Sequence, residues 1–264
     1  MESSQLLATL GDQALVLALA VTRLAVAMLV LPLFSQQLIP PLVRNVIFVS
    51  LALTVVAVQP TIDIDSLTGP QWVMLFAKEL FVGLSIGFFF GLFLWAFESA
   101  GTLIDTQIGA SIGNVHDPLS GHDVTLLGDF LGRWANFLFL SFGGLLFLTT
   151  SIIESFAVWP IDEPLPDLQR AAVRLFEREF GRYVTLTLML CAPVMVVVFL
   201  VDMCMGLVNR FAKRLDILFI SMAIKGLVTL LLLIVLIPML VDRLMKELAF
   251  HRNGIEDMLR AVLG

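Results

Sequence analysis

Long apolar runs separated by short polar breaks set the pattern of this chain. Taking a span as ~17–25 mostly apolar residues, about six runs stand out: near Ala14–Phe34, Leu42–Val58, Trp72–Phe97, Val124–Ile153, Val184–Val208 and Ile217–Val241. Each is too long for a buried strand, and none alternates apolar and polar residues as a membrane barrel strand must. The pattern predicts an all-α chain of polytopic, membrane-associated helical hairpins. A single domain is expected over residues 1–264, since no internal repeat, low-complexity tract or change of character divides it.

The breaks differ in kind. Gln59–Gln71 is short and acidic, with Pro60, Asp63, Asp65, Gly69 and Pro70. Ser99–Asp123 is rich in glycine and polar residues and reads as a long irregular connection. Pro160, Pro164 and Pro166 stop any helix across their segment. The stretch that follows, DLQRAAVRLFEREFGRY, predicts a short amphipathic helix with Arg170, Arg174, Arg178 and Arg182 on one drifting stripe. That stripe suits a solvated or headgroup-facing side, with a dedicated anion site as the sharper alternative. The C-terminal RLMKELAFHRNGIEDMLRAVLG is a second amphipathic candidate.

Composition strengthens the membrane assignment. The chain is 59% hydrophobic and 14% charged, with mean hydropathy +0.97, whereas soluble chains average roughly 45–50% apolar and about 25% charged. It holds 21 Phe against one Tyr, so its aromatics mostly lack a polar handle and suit lipid or a dry interface. With net charge -6 and no basic run, a nucleic-acid footprint is absent. Cys191 and Cys204 lie in one apolar run, roughly 20 Å apart on a helix rising ~1.5 Å per residue, too far to bridge. Both read as small buried apolar residues. The first apolar run exceeds a signal-peptide core and lacks a basic flank, so it is expected to be retained.

The basic residues then break the ordinary membrane rule. Alternating spans should gather Lys and Arg on one side. Here Arg210, Lys213 and Arg214 fall on the side opposite to both the Arg170–Arg182 stripe and the Arg243, Lys246, Arg252 and Arg260 group. Some segments are therefore expected to pack inside a larger protein assembly rather than face lipid.

Charges inside the apolar runs point the same way, because each costs at least ~2.5–3.5 kcal/mol at bilayer depth unless paired. Arg23, Asp202 and Lys225 lie deep, and Glu79 and Arg133 also fall within runs. Lys78, Glu98 and Asp242 sit near run ends, where snorkelling to the interface suffices. Asp202 and Lys225 each lie about a dozen residues from Lys213. An antiparallel hairpin would bring them to one depth, as a structural ion pair or as part of a proton relay. Gly83, Gly87 and Gly91 recur every four residues and predict close helix packing. His116 and His122 flank DPLSG without the further ligands a metal needs. No nucleophile elbow, phosphate loop or HExxH is present, so neither enzyme activity nor a cofactor is expected.

The stretch KELFVGLSIGFFFGLFLWAFESAGTLIDTQIGASIGNVHDPLSGHD (78–123) resembles the FliR/SctT family of type III secretion export-apparatus proteins. The resemblance rests on Glu79, Gly83, Gly87, Ala100-Gly101, Asp105, Gln107, Gly109 and Asp117-Pro118. A second block runs from Pro193 through Gly206, Asn209-Arg210 and Ser221 to Lys225-Gly226, and Arg23, Pro32, Pro40 and Arg44 fit the N-terminal pattern. Lys213, Asp216 and Ala223 depart from it, standing where the family often has proline or asparagine. The IDTQ wording at 104–107 is closer to injectisome than to flagellar members.

The resemblance implies a non-enzymatic export-gate subunit in the bacterial inner membrane, through which unfolded substrate proteins pass. It implies packing with FliP/SctR-type and FliQ/SctS-type subunits, contact with FlhB/SctU-type and FlhA/SctV-type proteins, and exposure to membrane lipid. It also implies that the connection 101–123 plugs the closed channel, placing Asp105, Gln107, Gly109, Ser111, Gly113, Asn114, Asp117 and Pro118 in a plug or pore loop. Arg23, Glu79, Gly83, Gly87, Gly91, Asp202, Asn209, Arg210 and Lys225 are then buried charge and packing positions. Glycines that permit irregular backbone, and few large apolar side chains between Gly109 and Gly121, agree with a plug that opens reversibly; a solvent-exposed connecting loop is the plain alternative. The competing function is a secondary transporter of a small solute, which paired broken helices in symmetric halves would favour; no symmetric halves are seen.

Overall fold

The computed structural model describes residues 2–34, 39–58, 69–109, 125–161, 170–211 and 217–263. Among them all regular structure is helical: α1 (Glu2–Val30), a 3-10 turn (Pro32–Phe34), α2 (Pro41–Val58), α3 (Gly69–Ile108), α4 (Leu126–Ser141), α5 (Gly144–Val158), α6 (Arg170–Phe211) and α7 (Ile217–Leu263). Three helical stretches are long and apolar enough to cross a membrane: Gly69–Ile108, Val173–Phe211 and Leu218–Phe250. The α4–α5 pair makes a fourth if it counts as one span. Segments near Ala14–Val30 and Pro41–Ala57 are apolar but shorter.

Four boundaries differ from the sequence expectation, each for a local reason. The run Val124–Ile153 is not one rod, because α4 and α5 meet at a 71° bend. The Phe142 N–H closes α4 onto Leu138 O at 2.9 Å, and Gly143 then takes φ 78°, a left-handed conformation that glycine adopts without a Cβ clash. Helix α3 does not stop at Phe97 but runs to Ile108. The Arg170–Tyr183 segment is not a separate amphipathic helix, since it continues into the apolar run as α6. The C-terminal candidate likewise continues α7. Propensity-neutral polar residues extend a helix cheaply once its apolar part is fixed by packing.

The described residues sort into two compact units. The first comprises Met1–Gly91, Gly143–Arg178 and His251–Gly264, the second Leu92–Phe142 and Glu179–Phe250, so α3 and α6 contribute to both. In the first, α1 crosses α3 at the small residues. A Cβ at Gly83 would stand 2.5 Å from Arg23 O, and one at Gly87 would stand 2.6 Å from Ala27 O. Only glycine permits that approach, as close packing of apolar helices generally demands. Gly91 is buried as well. Phe89 and Phe176 stack with centroids 4.9 Å apart. In the second unit Phe93 packs on Phe139 at 5.7 Å, beside buried Phe97, Ile104, Leu131 and Ala135.

Burial is uneven along the long helices. In the most apolar stretch of α3, 72% of residues are buried, against 33% in α6 and 17% in α7. Helix α3 is thus a core element, whereas α6 and α7 present wide apolar faces, with Phe199, Leu207, Leu227 and Val235 more than half exposed. Cys191 is buried as expected; Cys204 is not, because it falls on the exposed side of α6.

Candidate functional site

The first unit closes around a buried charge cluster. Arg23 on α1 and Glu79 on α3 form a two-point pair, Nε to Oε2 at 2.5 Å and Nη2 to Oε1 at 2.9 Å. The guanidinium also donates to Ser155 Oγ at 3.1 Å and Trp159 O at 3.0 Å, and it stacks 3.8 Å from the Phe156 ring centroid. Lys78 reaches Glu79 Oε1 at 3.0 Å and donates to Pro160 O at 2.8 Å and Ile161 O at 2.7 Å. All three charged side chains are fully buried. Lys78 therefore does not snorkel: Pro160 ends α5, three successive carbonyls are left without helix partners, and the two cations take them. Gly83, one turn beyond Glu79, lets the Arg23 backbone come close enough for the pair to form.

In the second unit the polar end of α3 is built into helix ends rather than into a loop. Gly101, Asp105 and Gln107, placed by the sequence in the 101–123 connection, lie in α3. Gly101 lets α3 run tightly against the start of α4, since a Cβ there would strike Leu127 O. Asp105 Oδ2 then accepts the N–H groups of Leu127 at 2.7 Å and Gly128 at 3.4 Å. These are N-terminal amides of α4, whose own first flanking residue, Thr125, makes no side-chain cap. A buried carboxylate from another helix thus serves as the cap. Thr102 and Thr125 share a hydroxyl hydrogen bond at 3.0 Å. Gly109 closes α3 at φ 89°, its N–H bonding Asp105 O at 3.1 Å.

The carboxyl end of α3 is held by Lys225 on α7. Its Nζ donates to Gln107 O at 3.2 Å and pairs with Asp202 on α6 at 3.0 Å; Ser221 Oγ donates to the same Asp202 oxygen at 3.4 Å. A cation at a helix C-terminus is electrostatically favoured. The Lys225 side chain is 11% exposed and that of Asp202 37%, so water offsets part of any loss on the Asp202 side. Lys225→Met is expected to destabilise the chain more than Asp202→Asn, since Lys225 serves two acceptors. The double variant should lose less than the sum, by on the order of 1 kcal/mol. Strict additivity in melting of the purified complex would remove the coupling.

Other sequence-selected residues fall differently. Asn209 and Arg210 are exposed rather than buried; Arg210 occupies the last turn of α6, where a cation complements the helix end without burial. Arg182 is not simply solvated, since it pairs with Glu247 at 2.9 Å and stacks 3.3 Å over Phe250. Arg133 pairs with Asp129 on the α4 surface at 3.2 Å. Ser111, Gly113, Asn114, Asp117, Pro118, His116 and His122 lie outside the described residues. Sequence reasoning missed the Arg23–Glu79 pairing and the Asp105 cap, because each joins residues distant in the chain. Among the described residues no group of three or more His, Cys, Asp or Glu is placed to hold a metal ion.

The family described as bacterial export proteins, family 1, matches residues 14–250 of the chain. The sequence is 33% identical over 221 residues to Yop proteins translocation protein T of Yersinia pestis, covering 82% of this chain and 84% of that protein. It is 29% identical over 233 residues to the secretion system apparatus protein SsaT of Salmonella typhimurium, covering 84% and 86%. It is 29% identical over 217 residues to flagellar biosynthetic protein FliR of Bacillus subtilis, covering 81% and 82%.

Proposed function

The chain belongs to the bacterial export proteins, family 1, and on that premise we propose that it is a structural, channel-forming subunit of a type III protein secretion export apparatus. The match over residues 14–250 is the observation that carries this assignment. It favours export of proteins over transport of a small solute. The likeness to the Yersinia and Salmonella secretion proteins supports an injectisome rather than a flagellar setting.

The whole chain acts as one subunit without catalytic chemistry, in the bacterial inner membrane, against FliP/SctR-type and FliQ/SctS-type partners and near FlhB/SctU-type and FlhA/SctV-type proteins. The open apolar faces of α6 and α7 support this, since they need either lipid or partner helices to cover them. The connection from Gly109 to Thr125 is the plug. Its support is the pinning of both its ends: Asp105 holds the start of α4, and Lys225 and Gly109 hold the end of α3.

Expressed without partners, the chain should aggregate or be degraded. Expressed with the FliP/SctR-type and FliQ/SctS-type subunits and extracted in mild detergent, it should copurify with them as one complex. A monodisperse, thermally stable monomer that leaves those subunits behind would sink the proposal.

A further inference from the structure

The second unit carries a cleft of about 570 Å³ that none of the contacts above fills. Its polar wall is set along α3 and α6. Glu98 lies over Gly132 of α4, where an added Cβ would stand 3.3 Å from Glu98 Cβ, so the carbon stem is supported while the carboxylate is left exposed at the cleft. Among the described residues that carboxylate has neither a hydrogen bond nor an ion pair. The nearest basic side chain on α4, Arg133, is engaged by Asp129 on the same helix. Ser99 Oγ and Tyr183 OH bond each other at 2.7 Å, which leaves lone pairs on both free to accept. Trp95 completes the cleft with an aromatic ring.

Every feature of this cleft favours one kind of occupant. A carboxylate without a counter-ion and spare hydroxyl lone pairs call for a donor that carries positive charge. Aromatic walls favour the flat guanidinium, which stacks as well as donates. The Arg23–Phe156 and Arg182–Phe250 stacks show this chain already using that combination internally.

We infer that the Glu98 cleft receives an arginine side chain from a helix of a neighbouring export-apparatus subunit. The inference rests on the proposed function for its neighbour, and on charge complementarity for the residue type. The test uses cells that make the whole apparatus, with a photo-crosslinking benzoylphenylalanine at Leu103, an exposed residue on the cleft rim. Illumination should join Leu103 to a partner peptide containing an arginine. Glu98→Arg should lower secretion and copurification by about tenfold or more, and changing that partner arginine to glutamate should restore them. Copurification of the unaltered chain with no partner adduct at Leu103, or normal secretion by Glu98→Arg, would overturn the inference and leave the export assignment standing. An unaltered chain that copurifies with no subunit would overturn both.

Discussion

Replacing Glu79 with Gln should all but eliminate the chain from membranes. In the intact protein two buried cations, Arg23 and Lys78, share one buried carboxylate. The carbonyl oxygens of Trp159, Pro160 and Ile161 accept further hydrogen bonds from these two cations. Glu79→Gln keeps the volume and removes the buried carboxylate that Arg23 and Lys78 share, so both cations lose an ion pair in a dry core. Breaking a buried pair costs about 3–5 kcal/mol, against a typical total stability of about 5–15 kcal/mol.

The charge arithmetic also ranks the neighbouring variants. Arg23→Met keeps the Lys78–Glu79 ion pair and should be milder than Glu79→Gln, although Trp159 O loses its donor. The pair Arg23→Met with Glu79→Gln removes both sides of the Arg23–Glu79 pair, leaves no guanidinium without its carboxylate, and should be milder than Glu79→Gln alone. The readout is the amount of full-length chain in membranes, with the melting temperature of the detergent-extracted complex. If Glu79→Gln accumulates and melts like the unaltered chain, or if Arg23→Met proves the more damaging of the two single changes, the cluster does not carry the first unit.

What could be read from the sequence, and what could not, divides by distance along the chain. The helices themselves were legible because long apolar runs admit no other structure. The Asp202–Lys225 contact was legible too, since both residues lie equally far from a short turn and hairpin geometry does the rest. Arg23 and Glu79 were recognisable as costly charges, but no periodicity joins residues on α1 and α3; only the glycine crossing at Gly83 brings them together. Residues 101–108 were misjudged because Gly, Thr, Asp and Gln look like a connection. Their helix is held from outside, by the α4 amide on Asp105 and by Lys225 on the Gln107 carbonyl. Tertiary contacts overrode a weak local preference. The bend after Phe142 left a trace in the Gly143-Gly144 pair, hidden by the apolar residues on both sides.

Deleting Ser111–Leu119 should make the assembled complex leak. The α3 and α4 ends are hydrogen-bonded to each other through Thr102–Thr125 and Asp105–Leu127, so the gap that remains is short. Ala110 and residues 120–124 can span at most about 20 Å, enough to rejoin ends already in contact. The anchors are left untouched, and the deleted residues include few large apolar side chains, so copurification with partner subunits should hold near its normal level. Ion flow across the inner membrane should instead rise when the apparatus is expressed, seen as slowed growth and increased conductance of the cells. Restoring the length with a nine-residue glycine–serine segment separates the two possible roles. A mere connector would be rescued by any flexible chain, whereas a plug needs its own residues to fill the passage. Full assembly without added leakage, in the deletion or in the glycine–serine variant, would remove the plug from the mechanism.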